Sequence, residues 1–335
     1  MKRVKNDKLP VIKPDFAGNK VDDRGRFVDE HYPYLPGLAQ VLRWKLGGNR
    51  NKEAKRNDRW RLDVLDPRIF LDSDADGIMW LGHASFYIRI GGVALITDPV
   101  FGAPIFLTRF VPVPSQIECI KTLNYILFSH DHRDHMDESS IRALTVRFPD
   151  AMLLAGLGSE DVLRKWKQPA NKLETAGWFQ QFESNDPGVK IYFLPAQHWA
   201  RRGLLDTNRR LWGSYIIQVH DTTIFFGGDS AYSSYYRKIG ELFPRVDFFL
   251  TGIGAYEPRW FMKSIHKNPE EAVRAFIDIH ARMLVPMHYG TFDLSDEPPG
   301  QPLRDLYAAA KAACVEDKIH PLAINEAILI EDNHE

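Results

Sequence analysis

The chain has 335 residues, of which 44% are hydrophobic and 26% are charged. This length and this apolar fraction are enough for one large domain or two small ones with a buried core, which excludes a disordered chain. The 43 Lys and Arg residues nearly balance the 44 Asp and Glu residues, so the net charge is −1. No overall field would recruit nucleic acid or an anionic membrane, although a local patch could do so.

The first 75 residues are rich in Lys, Arg, Asn and Asp and contain only short apolar pieces such as YPYLPGLAQVLRW. We predict that residues 1–75 form an extension packed on a main domain of residues 76–335; an independent domain or a functional arm is the alternative. The chain begins with a basic segment that has no apolar run behind it. Cys119 and Cys314 are far apart in sequence and are predicted to be buried thiols. We therefore expect a cytoplasmic protein, with peripheral membrane contact as a further option.

From residue 76 onward, short apolar runs bounded by turn residues predict β-strands. These runs are IMWLG, SFYIRIGGVALITDP, NYILFSH, AMLLAG, KIYFLPAQH, SYIIQVH, TTIFFGGD, VDFFLTGIG and MLVPMHYG. Helical patterns lie between them in SSIRALTVRF, SEDVLRKW, NPEEAVRAFIDIHA and LRDLYAAAKAAC. In the third of these, Asn268 is the predicted N-cap and Pro269 begins the first turn. Strands in groups with helices between them predict an α/β fold of two sheets covered by helices.

Four of the predicted strands run into His or Asp residues, the densest case being FSHDHRDH at 128–135. Strands that finish at one edge of a sheet can deliver their terminal side chains to a common point. Residues i and i+2 of an extended segment point the same way, so His130 and His132 can bind one ion while Asp134 and His135 face a second. A metal ion would offset the several kcal/mol that desolvating such a cluster costs. The seven predicted ligands are His130, His132, Asp134, His135, His198, Asp229 and His288. Surface histidines with helix caps would be the alternative.

The HxHxDH motif at 130–135, preceded by TDP and followed by a lone His, a lone Asp and a late His, resembles the metallo-β-lactamase superfamily. Within it, the chain is similar to the N-acylphosphatidylethanolamine-hydrolysing phospholipase D group. The strings that carry this resemblance are WLGHAS, LITDPVF, PAQHW, LWGSY, GDS, IGAYEPRWFMK, HKNPEEAV and MHYGTF. The resemblance covers roughly residues 76–292 and implies a four-layer αβ/βα sandwich with a dinuclear site at the sheet edges.

The resemblance also implies an order of ligands. One ion would be held by His130, His132 and His198, and the other by Asp134, His135 and His288, with Asp229 bridging. The His and Asp donors suit Zn²⁺, and Mn or Fe would also be accommodated. We therefore predict two divalent metal ions per chain, most simply Zn²⁺, with a bridging hydroxide that is nucleophilic near neutral pH.

Three neighbours of these ligands have competing interpretations. Asp98 either begins a turn or, as the resemblance implies, accepts a hydrogen bond that orients a ligating imidazole. His83 is a turn histidine or a residue of the pocket that supports the site. His266 precedes a helix cap, where an exposed histidine would be unremarkable. The resemblance instead places it in the active-site cleft, and we predict that His266 and Asp134 are catalytic.

Two further segments bear on the substrate. Arg201 and Arg202, with NRR at 208–210, follow His198 and form either a solvated loop or a clamp for a phosphate. The segment FGAPIFLTRFVPVP at 101–114 is too apolar for a free loop. Its Phe106 and Phe110 could line a lipid channel or touch a membrane, or the segment could pack beneath the N-terminal extension.

The leading prediction is a phospholipase D-type phosphodiesterase that hydrolyses a lipid diester such as an N-acylated phosphatidylethanolamine. The main alternative is a lactonase or other ester or amide hydrolase, as in the ascorbate-6-phosphate lactonase group. A metal-binding regulatory or scaffold protein without turnover is a third class. The expected partner is a small-molecule or lipid diester substrate, and no nucleic acid is expected.

Overall fold

Two β-sheets facing each other form the body of the protein. The computed structural model describes residues 2–33, 37–104, 107–112, 118–169, 172–184, 186 and 188–330. Its strands are β1 Lys2–Val4, β2 Asn19–Val21, β3 Phe27–Val28, β4 Gly77–Gly82, β5 Ser85–Ile90, β6 Val93–Thr97, β7 Tyr125–Phe128, β8 Met152–Gly156, β9 Leu173–Ala176, β10 Gln180–Gln181, β11 Val189–Leu194, β12 Ser214–Val219, β13 Thr222–Phe226, β14 Val246–Gly252, β15 Ala281–Met287 and β16 Ala327–Leu329.

In the described part of the chain, a seven-stranded sheet has the order β16-β4-β5-β6-β7-β8-β9, and a six-stranded sheet runs from β10 to β15 in chain order. A small sheet of β1, β2 and β3 belongs to the N-terminal region. The helices are α1 Leu38–Leu46, α2 Lys52–Asn57, α3 Arg68–Leu71, α4 Glu138–Arg147, α5 Glu160–Lys165, α6 Tyr235–Leu242, α7 Arg259–Met262, α8 Pro269–Asp278 and α9 Gln301–Ala312, with a 3₁₀ turn at Glu316–Lys318.

Strand β4 shows why the predicted runs are apolar without interruption. Ile78 and Trp80 belong to the large core that includes residues of both sheets, while Met79 and Leu81 belong to a second core shared with α3, α4 and α5. Successive side chains of a strand point to opposite faces, so a strand covered on both sides must be apolar at every position. Helices α6 and α8 pack together on the side of the six-stranded sheet, where α8 contacts β14 and β15. The predicted four-layer αβ/βα sandwich is confirmed.

The N-terminal region contacts the body of the fold along its length. The side chain of Asn19 accepts a hydrogen bond from the Trp178 backbone N–H at 3.0 Å. Further on, Trp44 Nε1 donates to Asp296 Oδ1 at 3.1 Å. These contacts hold both β2 and α1 against the two-sheet body.

None of the helices in the described part of the chain has the length and hydropathy that crossing a membrane requires. The two cysteines are free; Cys119 is half-buried and Cys314 is exposed. The expectation that both thiols are buried was therefore wrong. Cys314 follows the end of α9 with a φ of 57°, where the chain turns away from the core side of the helix.

The strands that carry the predicted ligands end at one edge. Strands β6, β7 and β8 pair in parallel, as do β13, β14 and β15, so their carboxyl ends lie side by side within each sheet. Asp98 follows β6, and its backbone N–H donates to Leu127 O in β7 at 2.8 Å. The polar residues after β6, β7, β13 and β15 therefore meet where the two sheets face each other.

Candidate metal centre

Eight His and Asp side chains form two adjacent groups at this edge. Within each group the potential ligand atoms lie within 4.8 Å of one another. One group is His130, His132, His198 and Asp229, and the other is His83, Asp134, His135 and His288. The structure thus brings together all seven predicted ligands, together with His83.

In the first group three imidazole nitrogens face one another. His132 Nδ1 lies 2.8 Å from His130 Nε2 and 3.3 Å from His198 Nε2. Ligands about 2.05 Å from a tetrahedral zinc ion are separated by roughly 3.3 Å, which matches this spacing. Burial lowers the pKa of His132 to about 4 and that of His198 to about 3, so both rings are neutral at pH 7 and offer lone pairs. The arrangement fits a divalent cation.

The Asp229 carboxylate lies between the two groups. Its Oδ2 is 3.2 Å from His135 Nε2 and 3.7 Å from His198 Nε2, while its Oδ1 is 3.1 Å from His288 Nε2. Burial alone would raise the pKa of Asp229, but the imidazoles of His135, His288 and His266 hold that pKa well below its usual range. An ionised carboxylate that faces ligand atoms of both groups can span two ions.

The second group contains buried nitrogens that need a partner. His135 Nε2 and His288 Nε2 are inaccessible to solvent and have no hydrogen-bond partner among the described residues. Asp134 Oδ2 lies 3.7 and 3.8 Å from these two atoms and 3.1 Å from His83 Nε2. Buried polar atoms are nearly always paired, and unpaired ones commonly mark a missing ion or water. Convergent, buried nitrogens beside a carboxylate fit a second cation.

Asp98 connects the two groups from behind. Its Oδ2 accepts hydrogen bonds from His135 Nδ1, at 2.7 Å, and from the Ser129 hydroxyl. Ser129 Oγ is in turn 2.9 Å from His130 Nδ1. One buried carboxylate therefore orients an imidazole of each group, directly for His135 and through a hydroxyl for His130. Nothing in the sequence signalled the role of Ser129, because its partner lies 31 positions away.

Changing Asp98 to Asn is expected to preserve the fold but weaken metal affinity by about 10- to 100-fold, because the carboxylate that orients both imidazoles is lost. Ser129→Ala should have a smaller effect, since the contact between Asp98 and His135 remains. Competition with a chromophoric chelator measures both affinities. Wild-type affinity in a folded Asp98→Asn protein would make Asp98 a turn residue only.

The backbone around the groups is strained. His83, Asp98 and His288 have φ values of 53°, 33° and 62°, in a region that non-glycine residues rarely occupy. Such conformations cost of order 1–3 kcal/mol each and persist where the surrounding structure imposes them, often at functional sites. Gly228 has a φ of 51°, and a Cβ there would lie only 2.7 Å from Ser129 Cβ. The loops that carry Asp229 and His130 can approach only because this residue is glycine.

His266 lies beside the groups, with Nδ1 3.9 Å from Asp229 Oδ2 and its ring 5.1 Å from that of His198. Its side chain is 14% exposed, so it lies in the cleft rather than on the open surface. Arg259 fixes the segment by donating to the His266 carbonyl and to both oxygens of Glu271. His266 therefore lies in the cleft beside both groups, and its catalytic role stays a prediction.

Arg201 and Arg202, the two predicted substrate-binding arginines, donate hydrogen bonds to backbone carbonyls. Arg202 donates to the carbonyls of Asp131 and Met136, and its guanidinium lies over the Trp166 ring at 4.5 Å. Arg201 Nε donates to Gly203 O, and its side chain is half-exposed. The structure therefore gives Arg202 contacts with the backbone of the HxHxDH loop, and a phosphate clamp by Arg201 stays a prediction.

Arg210 is paired with two carboxylates. Its Nε donates to Asp131 and its Nη2 donates to Asp206, and the Asp131 side chain is fully buried. Asp131 lies within the HxHxDH motif between two predicted ligands. This ion pair therefore supports the segment that carries His130 and His132.

Arg210→Met is expected to destabilise the protein by about 3–5 kcal/mol, because it leaves the buried Asp131 carboxylate without a partner. Urea unfolding measures the change. The double variant Asp131→Asn with Arg210→Met should recover part of the loss, since no buried charge remains. A loss of less than about 1 kcal/mol in the single variant would contradict a supporting role for the pair.

Phe110 lies near the second group, whereas Phe106 lies outside the described residues. A small cavity of about 20 Å³ is lined by Phe110, His288, Tyr289 and Phe292, among others. The Phe110 backbone N–H donates to Thr291 O at 2.8 Å, and its ring lies under the Arg61 guanidinium at 5.1 Å. The Phe110 ring and His288 therefore line the same small cavity.

Comparison with known proteins shows to which family the chain belongs. A model described as the Beta-lactamase superfamily domain matches residues 94–289, more than half of the chain. The chain belongs to the metallo-β-lactamase superfamily. It is 35% identical over 281 residues to N-acyl-phosphatidylethanolamine-hydrolyzing phospholipase D 1 of Caenorhabditis elegans, covering 77% of this chain and 78% of that protein.

A metal-dependent hydrolase of Pyrobaculum aerophilum is 29% identical over 225 residues, covering 66% of this chain and 88% of that protein. Among solved structures, a metallo hydrolase of the archaeon Ignicoccus hospitalis superposes with a TM-score of 0.59 at 20% identity, covering 77% of this chain and 99% of that one. This last likeness supports the fold. Together with the His and Asp groups, the relatives identify the chain as a metal-dependent hydrolase of this superfamily.

Proposed function

We propose that the protein is a dinuclear phosphodiesterase of the phospholipase D type, acting on an N-acylated phosphatidylethanolamine or a related lipid diester. The observation that carries the proposal is the Asp229 carboxylate, whose Oδ1 faces His288 of the second group while its Oδ2 lies between His135 of the second group and His198 of the first. The nematode relative, whose name specifies this substrate class, supports the choice of reaction.

In this proposal the two groups hold the ions in the order implied by the superfamily. His130, His132 and His198 would hold one ion, Asp134, His135 and His288 would hold the other, and Asp229 would contribute to both. When bound, a pair of divalent cations lowers the pKa of water and neutralises charge on phosphoryl oxygens. Asp98 and Ser129 keep two of the ligand imidazoles in orientation.

His266 lies next to the two groups and is not one of the seven proposed ligands. Burial lowers its pKa well below the usual value, so the ring is neutral and carries one N–H. We assign that N–H to a hydrogen bond with the diester or its leaving alcohol, where charge develops during cleavage. In the second group, we assign a catalytic role to the Asp134 carboxylate as well. His83 Nε2 lies 3.1 Å from its Oδ2.

We assign the contact with an acyl chain to the Phe110 ring, which lines a small cavity together with His288. A small sugar lactone would not need such a contact beside His288. The experiment is a comparison of kcat/KM, after metal reconstitution, for an N-acylated phosphatidylethanolamine, phosphomonoesters, lactones and β-lactams. The lipid diester should be the fastest substrate, and faster hydrolysis of lactones would replace this proposal with carbonyl hydrolysis.

Phe110→Ser is expected to lower kcat/KM for long-chain diesters much more than for bis-p-nitrophenyl phosphate, because only the long chain contacts the Phe110 ring. Burying a Phe side chain contributes about 1.5–3 kcal/mol, so a loss of roughly tenfold or more is expected. Joint replacement with Phe106→Ser tests the neighbouring residue of the same segment. Equal losses on both substrates would remove this contact from the proposal.

A further inference from the structure

The imidazole of His132 has one nitrogen without a polar partner. Its Nδ1 faces the other imidazoles of the first group, 2.8 Å from His130 Nε2 and 3.3 Å from His198 Nε2. A neutral imidazole that offers the Nδ1 lone pair carries its hydrogen on Nε2. That Nε2 is inaccessible to solvent and has no hydrogen-bond partner in the described part of the chain. A buried donor without an acceptor is costly, and native structures rarely leave one.

Other predicted ligands have a polar acceptor behind the ring. His198 Nδ1 donates to the Ile265 carbonyl at 2.9 Å, and His135 Nδ1 donates to the Asp98 carboxylate at 2.7 Å. Histidines that bind metal ions generally place the nitrogen that does not bind the ion against such an acceptor, which fixes the tautomer and the orientation of the ring. The Nε2–H of His132 therefore needs an acceptor of another kind.

The indole of Trp199 stands across the His132 ring. The two ring centroids are 4.9 Å apart, and the ring planes are inclined at 70° to each other. The face of an aromatic ring carries partial negative charge, so it can accept a weak hydrogen bond from an N–H that points at it. Nearly perpendicular rings at this separation are the arrangement that such a bond requires.

Trp199 is held by apolar neighbours on another side. It follows His198 directly in the chain and packs against the small cluster of Phe261, Met262 and Ile265. The indole is half-buried, and turning it away from this cluster would expose apolar surface to water. The ring therefore keeps its place between the cluster and the imidazole of His132.

We propose that Trp199 is a positioning residue for His132. Its indole face accepts the Nε2–H and so fixes the imidazole with Nδ1 toward the first group. In requiring an ion at that group, the inference rests on the proposed function. Because the contact involves one ligand of the first group only, Trp199 should add to the affinity for one ion and leave the affinity for the other unchanged.

NMR of ¹⁵N-histidine-labelled, zinc-reconstituted protein tests the contact without catalysis. Ring current shields a proton above an aromatic face, so one imidazole N–H of the wild type should lie upfield of those of His135 and His198. It should stay upfield in Trp199→Phe, which keeps an aromatic face, and move downfield in Trp199→Leu. Trp260→Leu removes a 49% exposed tryptophan of α7 and is the matched control, with the wild-type spectrum expected.

Competition with a chromophoric chelator measures the affinity of the same proteins for each of two zinc ions. Trp199→Leu should weaken one of the two affinities by about 3- to 10-fold, less than Asp98→Asn does, because an aromatic face is a weaker acceptor than a carboxylate. Trp199→Phe should keep most of the affinity. Circular dichroism should show the wild-type fold in both variants.

The positioning role is overturned if the wild type shows no shielded imidazole N–H, or if Trp199→Leu keeps both wild-type zinc affinities. Equal losses in Trp199→Leu and Trp199→Phe would also overturn it, because they would show that the indole only fills space. If the spectrum and the affinities follow expectation but no diester is hydrolysed, the proposed reaction fails while the role of Trp199 stands. A wild-type protein that binds no zinc would overturn both.

Discussion

Asp229→Ala is expected to lose more than one metal ion per chain and to lower kcat by at least about 1,000-fold. The carboxylate lies 3.1 Å from His288 Nε2 and 3.2 Å from His135 Nε2, and it also faces His198 of the other group. In the proposed dinuclear centre its removal takes away a donor from both ions and leaves their positive charges less compensated. Metal ions contribute several kcal/mol to charge stabilisation in such reactions, which corresponds to this loss in rate.

Elemental analysis of the purified Asp229→Ala protein measures the loss of metal, and single-turnover kinetics measure the loss in rate. Asp150→Ala is the matched control, because that carboxylate is 95% exposed and distant in sequence from every predicted ligand. It should keep the wild-type metal content and rate. An Asp229→Ala protein that retains two ions would exclude a bridging role.

His266→Ala should lower kcat by about 100- to 10,000-fold on both a lipid diester and bis-p-nitrophenyl phosphate, because the role we propose for the ring is at the reacting group and not on the acyl chain. The metal content should not change, since His266 Nδ1 is 3.9 Å from Asp229 but is not needed to complete either group. Loss of metal would instead make His266 a ligand.

The control for this variant is His31→Ala, which removes an exposed histidine in the N-terminal region. It should leave kcat unchanged. A His266→Ala enzyme that loses activity only on the long-chain substrate would show that the ring contacts the chain and not the reacting centre.

Most of the two-sheet body could be predicted from the sequence. Each apolar run from IMWLG to MLVPMHYG contains a strand in the structure, SFYIRIGGVALITDP contains two, and α8 begins at Pro269 with Asn268 as its N-cap. These predictions succeeded because burial on both faces requires continuous apolar strands, and because a capping box has a fixed local spacing. Helix α6 and the short edge strands β9, β10 and β16 escaped notice. Their residues are stabilised mainly by tertiary contacts, which local patterns do not show.

Part of the candidate metal centre could be predicted from the sequence for a similar reason. A His or Asp shortly after a strand marks a position at the sheet edge, and this signal selected seven side chains that the structure brings together. The hydroxyl of Ser129 and the carbonyl of Ile265 carry no such signal, since any residue has a carbonyl and serine is common. Arg202 and Arg210 looked like phosphate ligands because their charge is evident from sequence, whereas their contacts with the HxHxDH segment depend on the fold.

Hydrolysis of an N-acylated phosphatidylethanolamine in ¹⁸O-labelled water tests the central claim most directly. Attack at phosphorus transfers the water oxygen to the phosphate and releases an alcohol that keeps its own oxygen. We predict that mass spectrometry will find one ¹⁸O in the phosphatidic acid and none in the N-acylethanolamine. Label in a released fatty acid would instead show attack on a carbonyl carbon, and would contradict the assignment of this centre to a phosphodiesterase.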